Sequence, residues 1–293
     1  MESNFKIDIL NIPKCRLCGS LEVKLIDAEI FKAQKYTIFK CTNCNLVFVN
    51  ETYEEVSPDY INLTEVDDFN LWLQSEHKKD AFNQFLRLIN KYISNLSNTT
   101  KLLDVGCGTG GFLCFVDEKV NYQFFGFDSS QTQINYAQKR FSMVRCAITI
   151  EEYIKKIGLP DLKFDLITMW DVLEHIRQPV NFIKALAEYS NQGIIFVSVP
   201  NALPMFLKNK LKGLKNFTWF PHEHVSYFSP KSLKVLCKKL NLQVVKIGSV
   251  KAYKREISFF EIFRRVYFYI TFIHPILSPQ IYLIAKCSNE RET

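Results

Sequence analysis

The stretch Leu102–Gly110 reads LLDVGCGTG, and an apolar helical pattern follows it after Gly111. The stretch begins as a buried β-strand and ends in three glycines at alternate positions. Glycine permits positive φ angles and lets a ligand approach the main chain, and the start of the next helix offers free N–H groups. We therefore predict a ligand-binding turn between a strand and a helix.

A second acidic residue fits the same kind of site. Asp128 lies eighteen residues after Gly110 and ends the strand pattern YQFFGFD. In nucleotide-binding α/β domains, an acid at this place accepts hydrogen bonds from both ribose hydroxyls. The glycine spacing differs from the dinucleotide fingerprint Gly-x-Gly-x-x-Gly, and a structural turn or an NAD site remains the alternative.

Beyond residue 100, apolar strand patterns alternate with helical ones. Parallel strands need crossover connections, so this alternation predicts an α/β fold with a parallel sheet covered by helices on both faces. An amphipathic helix from Phe69 to Leu96 precedes the sheet, and Ser229-Pro230 begins a late helix. The predicted strands are Lys101–Val105, Phe124–Phe127, Val144–Ile148, Phe164–Trp170, Ile194–Val199, Leu242–Val250 and Gln280–Cys287.

With its DVGCGTG motif, the chain resembles the class I S-adenosylmethionine-dependent methyltransferases, from about Lys101 to Cys287. The resemblance implies a Rossmann-like, seven-stranded sheet whose last strand is antiparallel. It also implies that the three glycines wrap the methionine part of S-adenosylmethionine, that Asp128 holds the ribose, and that Asp104 supports the loop or meets the amino group through water. The predicted cofactor-binding set is Asp104, Gly106, Cys107, Gly108, Gly110, Asp128, Ser129, Trp170 and Asp171.

The segment FDLITMWDVLEHI, residues 164–176, resembles the fourth strand and following turn of the same family. Trp170 and Asp171 would then lie at the carboxyl end of that strand, beside the cofactor. Core packing is the alternative for Trp170, and His175 could cap a nearby helix. The third strand leads into Ala147-Ile148-Thr149, which does not define the adenine pocket.

Two Cys-x-x-Cys pairs near the amino terminus predict a metal site. Gly19 and Asn45 follow the second cysteine of each pair and tolerate the left-handed conformation. Four thiolates complete a tetrahedral zinc site without an open position, so we expect a structural zinc rather than disulfides or free thiols. The ligands would be Cys15, Cys18, Cys41 and Cys44. A zinc ribbon before this catalytic fold resembles sugar and polysaccharide methyltransferases of the methyltransferase-23-like branch, and also certain ribosomal RNA methyltransferases.

The loop after the fifth strand carries His222, Glu223, His224 and Tyr227. Methyl transfer requires removal of a proton from the acceptor, and histidine suits that task at neutral pH. In an extended segment His222 and His224 would project to one side and Glu223 to the other, so either histidine could be the base. The phrase PHEHVSYFSPKSL resembles the sugar-type branch, which favours His224, with His222 and Tyr227 as further catalytic candidates. Local hydrogen bonding, or half of a metal site, is the alternative.

We divide the chain into a zinc ribbon (1–60), a helical linker or lid (61–100) and a methyltransferase domain (101–293). The last contains a substrate segment (201–230) and an aromatic insertion (255–279). Prolines break the apolar stretch 266–285, which argues against a membrane span but leaves open a peripheral membrane contact. Five isolated cysteines and no signal-peptide pattern predict a cytoplasmic protein.

The chain has 293 residues and a formal charge of +7, and its basic residues are spread out. RNA-binding proteins carry aromatic platforms and dense basic stripes. Neither is evident in this sequence, so a nucleic-acid partner is disfavoured. The lysines at 208, 210, 212 and 215 form a solvated face or meet phosphates. We predict methyl transfer to a hydroxyl or carbon of a nucleotide-linked or surface-glycan sugar. An RNA base methyltransferase, a small-molecule O-methyltransferase and a non-catalytic scaffold are the alternatives, and the oligomeric state is undefined.

Overall fold

The computed structural model describes residues 12–31, 34–50, 76–93, 96–204, 219–250 and 278–287. Four predicted features lie wholly or largely outside these ranges. They are the end of the proposed ribbon (51–60), most of the proposed linker (61–75), the lysines at 208–215 and nearly all of the aromatic insertion.

A seven-stranded sheet forms the centre of the molecule. Its strands are β4 (Lys101–Val105), β5 (Gln123–Asp128), β6 (Val144–Cys146), β7 (Phe164–Trp170), β8 (Ser190–Pro200), β10 (Leu242–Ser249) and β11 (Gln280–Cys287). Their order is β10-β11-β8-β7-β4-β5-β6, and β11 runs antiparallel to both of its neighbours, β8 and β10. The predicted fold, with its antiparallel last strand, is therefore confirmed.

Helices connect these strands and cover the sheet. They are α1 (Glu76–Tyr92), α2 (Gly111–Asp117), α3 (Gln131–Ala137), α4 (Ile150–Ile157), α5 (Pro179–Glu188) and α6 (Pro230–Lys239), with a 3-10 turn at Leu173–His175. Ser229 caps α6 as predicted, because its hydroxyl accepts from the backbone N–H of Ser232. The third strand is shorter than predicted. Its pairing with β5 ends at Cys146, opposite Asp128, and Thr149 caps α4.

A second sheet joins the cysteine-rich region to the rest of the chain. Its strands are β1 (Val23–Phe31), β2 (Gln34–Cys41), β3 (Val47–Asn50) and β9 (Ser226–Tyr227), in that order. The first three belong to the cysteine-rich region, whereas β9 comes from the loop after β8. The pairing of Val47 with Tyr227 and of Phe48 with Ser226 therefore builds one sheet from two distant parts of the sequence.

Helix α1 packs on the main sheet through a cluster of aromatic rings. Phe85 of α1 is 1% exposed and meets Phe112, Trp170 and Phe196 edge to face, at centroid distances of 5.2, 5.8 and 4.8 Å. Such pairs contribute about 0.5–1.5 kcal/mol beyond the burial of their area. The cluster thereby fixes α1 beside the carboxyl ends of β7 and β8.

No helix in the described ranges combines the length and the apolar character needed to cross a membrane.

Replacing Phe85 with alanine should lower the free energy of unfolding by about 3–5 kcal/mol, because the cavity left in this cluster cannot collapse fully. Urea unfolding of the purified protein measures this change. Arg87→Ala, on the exposed face of the same helix, is the matched control and should change stability by less than about 0.5 kcal/mol. Equal unfolding midpoints for the two variants would contradict a core role for the Phe85 ring.

Candidate active site

The glycine loop after β4 has the conformation that its sequence predicts. Gly106, Gly108 and Gly110 all have positive φ angles, of 67°, 53° and 81°. At Gly106 the restriction is also steric, since an added Cβ would lie 2.5 Å from a methyl carbon of Val172. The main chain of the loop is therefore bare where it faces the carboxyl end of the sheet, as close approach of a ligand requires.

The carboxylate of Asp128 fastens this loop to the end of β5. Its Oδ2 accepts from the backbone N–H of Gly108 at 3.0 Å, and its Oδ1 accepts from that of Ser130 at 2.9 Å. Burial raises the pKa of Asp128, and these hydrogen bonds oppose the rise. Each carboxylate oxygen can accept a second hydrogen bond, so the group could still bind the hydroxyls of a ribose.

Asp104 lies beneath the loop and is 2% exposed. Its Oδ1 accepts a hydrogen bond of 2.7 Å from the hydroxyl of Thr168 in β7. Burial raises the pKa of Asp104 to about 8 against the opposing effect of Thr168, and the charge of Asp128 raises it further. Asp104 therefore joins β4 to β7 under the loop, and as a buried acid it can be protonated near neutral pH.

The loop forms one wall of a cavity of about 540 Å³ at the carboxyl edge of the sheet. Such a volume suits a small organic ligand. Of the residues predicted to bind the cofactor, all except Gly110 line it. Ala147 and Ile148, which the sequence left unassigned, line it as well. The predicted residues in its wall are Asp104, Gly106, Cys107, Gly108, Asp128, Ser129, Trp170 and Asp171.

Trp170 belongs to both the core and the cavity, the two roles between which the sequence could not decide. Its ring contacts Phe82 and Phe112 at centroid distances of 5.0 and 5.2 Å. Its indole Nε1 is buried and has no hydrogen-bond partner among the described residues. Because this N–H is inaccessible to solvent, Trp170 contributes its apolar ring rather than a free donor to the cavity wall.

Asp171 has a positive φ of 56°, which is strained for a residue other than glycine. Two partners hold it there. Lys78 of α1 makes an ion pair with Oδ2 at 2.8 Å, and Gln280 of β11 donates to Oδ1 at 2.5 Å. Sequence reasoning missed both partners because each is about a hundred residues away from Asp171. Lys78 also lines the cavity.

The loop that carries His222, Glu223 and His224, here called the histidine loop, is a turn rather than the extended segment that we predicted. Phe220 has a φ of 49°, and its carbonyl accepts from the backbone N–H groups of both Glu223 and His224, at 3.0 and 2.9 Å. As a result, His222 does not share the orientation of His224. His224 and Glu223 line the cavity, whereas His222 does not. The prediction that Glu223 points away was wrong for the same reason.

This loop docks on the 3-10 turn that follows β7. The ring Nδ1 of His175 lies 2.9 Å from the carbonyl oxygen of Glu223, and the N–H of Val225 donates to the carbonyl of Glu174, also at 2.9 Å. The rings of His175 and His224 meet edge to face at 4.9 Å. Burial, reinforced by His175, lowers the pKa of His224 to about 4, so its imidazole is neutral at physiological pH.

Tyr227 lies behind His224 and outside the cavity wall. Its ring is fully buried, with centroid distances of 5.8 Å to His224 and 5.0 Å to Trp219. Burial raises the pKa of Tyr227 well above its ordinary value. The structure thus brings His224 alone of the three predicted catalytic residues to the cavity, with Tyr227 supporting it from below.

The four cysteines of the ribbon come together as predicted. All four sulfur atoms lie within 4.8 Å of one another, and the Cys15–Cys44 and Cys18–Cys41 pairs are 3.5 Å apart. A tetrahedral zinc with bonds of about 2.3 Å needs sulfur atoms roughly 3.8 Å apart, so the cluster fits that ion. Gly19 and Asn45 take the predicted left-handed conformation, with φ of 78° and 62°.

Gly106→Ala should weaken binding of S-adenosylmethionine, the cofactor that the resemblance implies, by at least about tenfold. The new methyl group would collide with Val172 and push the loop into the cavity. Gly158→Ala is the matched control, since Gly158 has a similar φ of 70° but open space around it. Both variants should lose about 1–2 kcal/mol of stability from the left-handed backbone. Equal cofactor affinity of the two variants in calorimetric titration would contradict a cofactor-binding role for the loop.

Comparisons with known proteins agree with this geometry. A family model described as "Methyltransferase domain" matches residues 77–247. A ubiquinone biosynthesis O-methyltransferase of Bartonella quintana is 32% identical over 154 residues, which cover 50% of this chain and 61% of that protein. The protein of the same name from Actinobacillus pleuropneumoniae is 27% identical over 201 residues, covering 62% of this chain and 86% of that one. The chain thus spans about three fifths of the length of the Bartonella relatives that it matches.

Two solved structures share the fold. The magnesium protoporphyrin IX methyltransferase of Synechocystis PCC 6803, solved with bound SAH, has a TM-score of 0.52 at 15% identity, covering 79% of this chain and 98% of that one. The plantazolicin methyltransferase BpumL in complex with SAH has a TM-score of 0.51 at 14% identity, covering 78% and 92%. The resemblance to class I S-adenosylmethionine-dependent methyltransferases is confirmed. Because the family match covers more than half of its residues, this chain belongs to the methyltransferase-domain family.

Proposed function

We propose that this protein transfers a methyl group from S-adenosylmethionine to a hydroxyl oxygen of a small molecule, with His224 as the general base. One observation carries the proposal: the glycine loop, Asp128 and His224 all face the same cavity. A nucleotide-type cradle and a proton acceptor in one space are what methyl transfer to a protonated acceptor requires.

The residues present fit the cofactor. Gly106 and Gly108 would hold the methionine part against bare main chain, and Asp128 would accept from the ribose hydroxyls. When bound, S-adenosylmethionine supplies an electrophilic methyl group on a sulfonium. The contribution of the protein is to align the acceptor with that group and to remove its proton.

His224 is suited to take that proton. It is unprotonated at physiological pH, because burial lowers its pKa to about 4; the same shift makes it a weaker base, so the imidazolium needs an anionic partner during the step. Its Nδ1 is inaccessible to solvent, which leaves Nε2 as the nitrogen that can meet an acceptor in the cavity. A positioned general base of this kind contributes about a hundredfold to ten-thousandfold to a rate. His222 lies outside the cavity wall, and we therefore assign the role to His224 alone.

The choice of acceptor rests on the relatives. Both the Bartonella and the Actinobacillus protein are named for O-methylation in ubiquinone biosynthesis, and their names do not refer to sugars. They favour a small-molecule hydroxyl over the sugar acceptor that we predicted first from the sequence. A sugar hydroxyl or carbon and an RNA base are the acceptors to test against it.

His224→Ala should reduce methyl transfer at least about a hundredfold and leave the affinity for S-adenosylmethionine unchanged, because the ring acts on the acceptor rather than the cofactor. Transfer of labelled methyl to 3,4-dihydroxybenzoate, to a nucleotide-sugar pool and to RNA would measure it. His222→Ala should retain most of the activity. Full transfer by His224→Ala would exclude it as the base, and wild-type protein that failed to bind the cofactor would favour a non-catalytic scaffold.

We also propose that the four ribbon cysteines hold a structural zinc. The ion would fix the Cys15–Cys18 turn, which carries Arg16. The guanidinium of Arg16 donates to the carbonyl oxygens of Val49 and Val225. Because Val225 follows His224, zinc would support the base through the ribbon without touching the reaction. The cytoplasmic location that the sequence predicts would keep these thiols reduced.

Cys41→Ser should abolish the stoichiometric zinc, lower methyl transfer several-fold or more, and leave cofactor affinity within about twofold, since the cofactor wall contains no ribbon residue. Elemental analysis and calorimetric titration provide the two readouts besides turnover. Cys287→Ser, at the far end of β11, is the matched control and should keep its zinc. Wild-type protein free of zinc, or a Cys41→Ser variant with unchanged zinc, would contradict the assignment.

A further inference from the structure

Glu174 is a buried acid that the mechanism so far does not use. It is 1% exposed, and neither carboxyl oxygen has a hydrogen-bond partner in the described part of the chain. Burial, with the charge of Asp171, raises its pKa well above the ordinary value. A buried carboxyl group without a partner is costly, and native proteins rarely keep one without a role.

The Nδ1 of His224 is a buried donor that could satisfy it. That atom is also buried and also without a partner among the described residues. A carboxyl oxygen of Glu174 and one ring nitrogen each of His175 and His224 lie within 4.8 Å of one another. The hydroxyl of Tyr227 is a third buried polar group without a partner, and the charge of Glu174 acts on it. Two donors, Nδ1 of His224 and the hydroxyl of Tyr227, and one acceptor, the carboxyl group of Glu174, are thus enclosed together beneath the cavity.

The backbone already holds the two partners in place. The N–H of Val225 donates to the carbonyl of Glu174, and the carbonyl of Glu223 lies against the ring of His175. The turn that carries Glu174 and the loop that carries His224 are therefore fixed to each other.

We propose that Glu174 is a positioning residue that accepts a hydrogen bond from Nδ1–H of His224 in the reacting enzyme, which leaves Nε2 free as the base. This inference rests on the proposed function of His224. In the step it supports, the acceptor O–H proton passes to Nε2 while the oxygen bonds to the methyl carbon. The carbon–sulfur bond breaks, and its electron pair stays on sulfur. The hydrogen bond from Nδ1–H favours the carboxylate form of Glu174 against the effect of burial, and this carboxylate balances the imidazolium that forms.

Other charged or titratable groups around this pair must be considered in any pH measurement. They come from α1, the turn after β7, the histidine loop, β9 and β1. These groups are Lys78, Asp171, His175, His222, Glu223, Tyr227 and Glu29. A test must therefore change Glu174 alone and compare variants at constant ionic strength.

Nitrogen-15 NMR of the imidazole rings provides a readout that needs no acceptor molecule. The chain has only five histidines, and His224→Ala assigns the signal. Wild-type His224 should carry its proton on Nδ1. Glu174→Leu removes the acceptor and should shift the ring towards a mixture of tautomers. Glu174→Gln keeps an acceptor oxygen but not its charge, so it should keep the tautomer and lower the pH at which the ring titrates. The exposed Glu188→Gln is the matched control and should change neither property.

Turnover with 3,4-dihydroxybenzoate gives the second readout. Glu174→Gln should lower kcat at least about tenfold, with cofactor affinity unchanged, and should add nothing further in a His224→Ala background.

If Glu174→Leu does not fold, the titration of Glu174→Gln decides. An Nε2–H tautomer in wild type, or a ring that titrates alike in Glu174→Gln and wild type, would overturn the inference. So would a Mg²⁺ or Mn²⁺ ion shown to bind Glu174 and His224. Wild-type protein without turnover would count against the proposed function, while the ring measurement would still decide on Glu174.

Discussion

The pairing of β3 with β9 is the constraint on which the candidate active site depends. Strand β3 belongs to the cysteine-rich region, whereas β9 begins two residues after His224 in the chain. The N–H of Val49 donates to the carbonyl of Val225 at 3.1 Å, so the ladder reaches the residue next to the proposed base. Trp219, at the start of the loop, donates its indole N–H to Asp27 of β1 at 3.0 Å. The ribbon therefore anchors both ends of the loop that presents His224.

The wall that we propose to bind the cofactor has a different origin. It depends on local backbone conformation, with left-handed glycines after β4 and a left-handed Asp171 after β7. The glycines carry no steric penalty, whereas Asp171 does, and an ion pair and a hydrogen bond from distant elements hold it in place. The glycine-loop side of the cavity thus depends on local sequence, whereas the Asp171 side depends on tertiary contacts.

This division explains how much the sequence could predict. The strand pattern and the glycine loop followed from patterns within about thirty residues, because strand alternation and glycine spacing act locally. The cysteine cluster could be predicted from the spacing of the two Cys-x-x-Cys pairs alone. Three features could not be predicted: the turn at Phe220, the ion pair of Lys78, and the burial of Glu174 against His224. The last two join segments about 50 to 100 residues apart, and the turn is held by contacts with equally distant elements. Neither periodicity nor spacing contains that information.

Hydrogen–deuterium exchange of the full chain, before and after removal of the proposed zinc by a chelator, tests the dependence of the loop on the ribbon most directly. If the ribbon anchors the base, loss of metal should speed exchange in β3 and in residues 219–227 together, while β4 and β7 keep their protection. If residues 219–227 stayed protected while the ribbon strands exchanged freely, the loop would be independent of the ribbon, which would contradict the anchoring of His224 through β3 and β9.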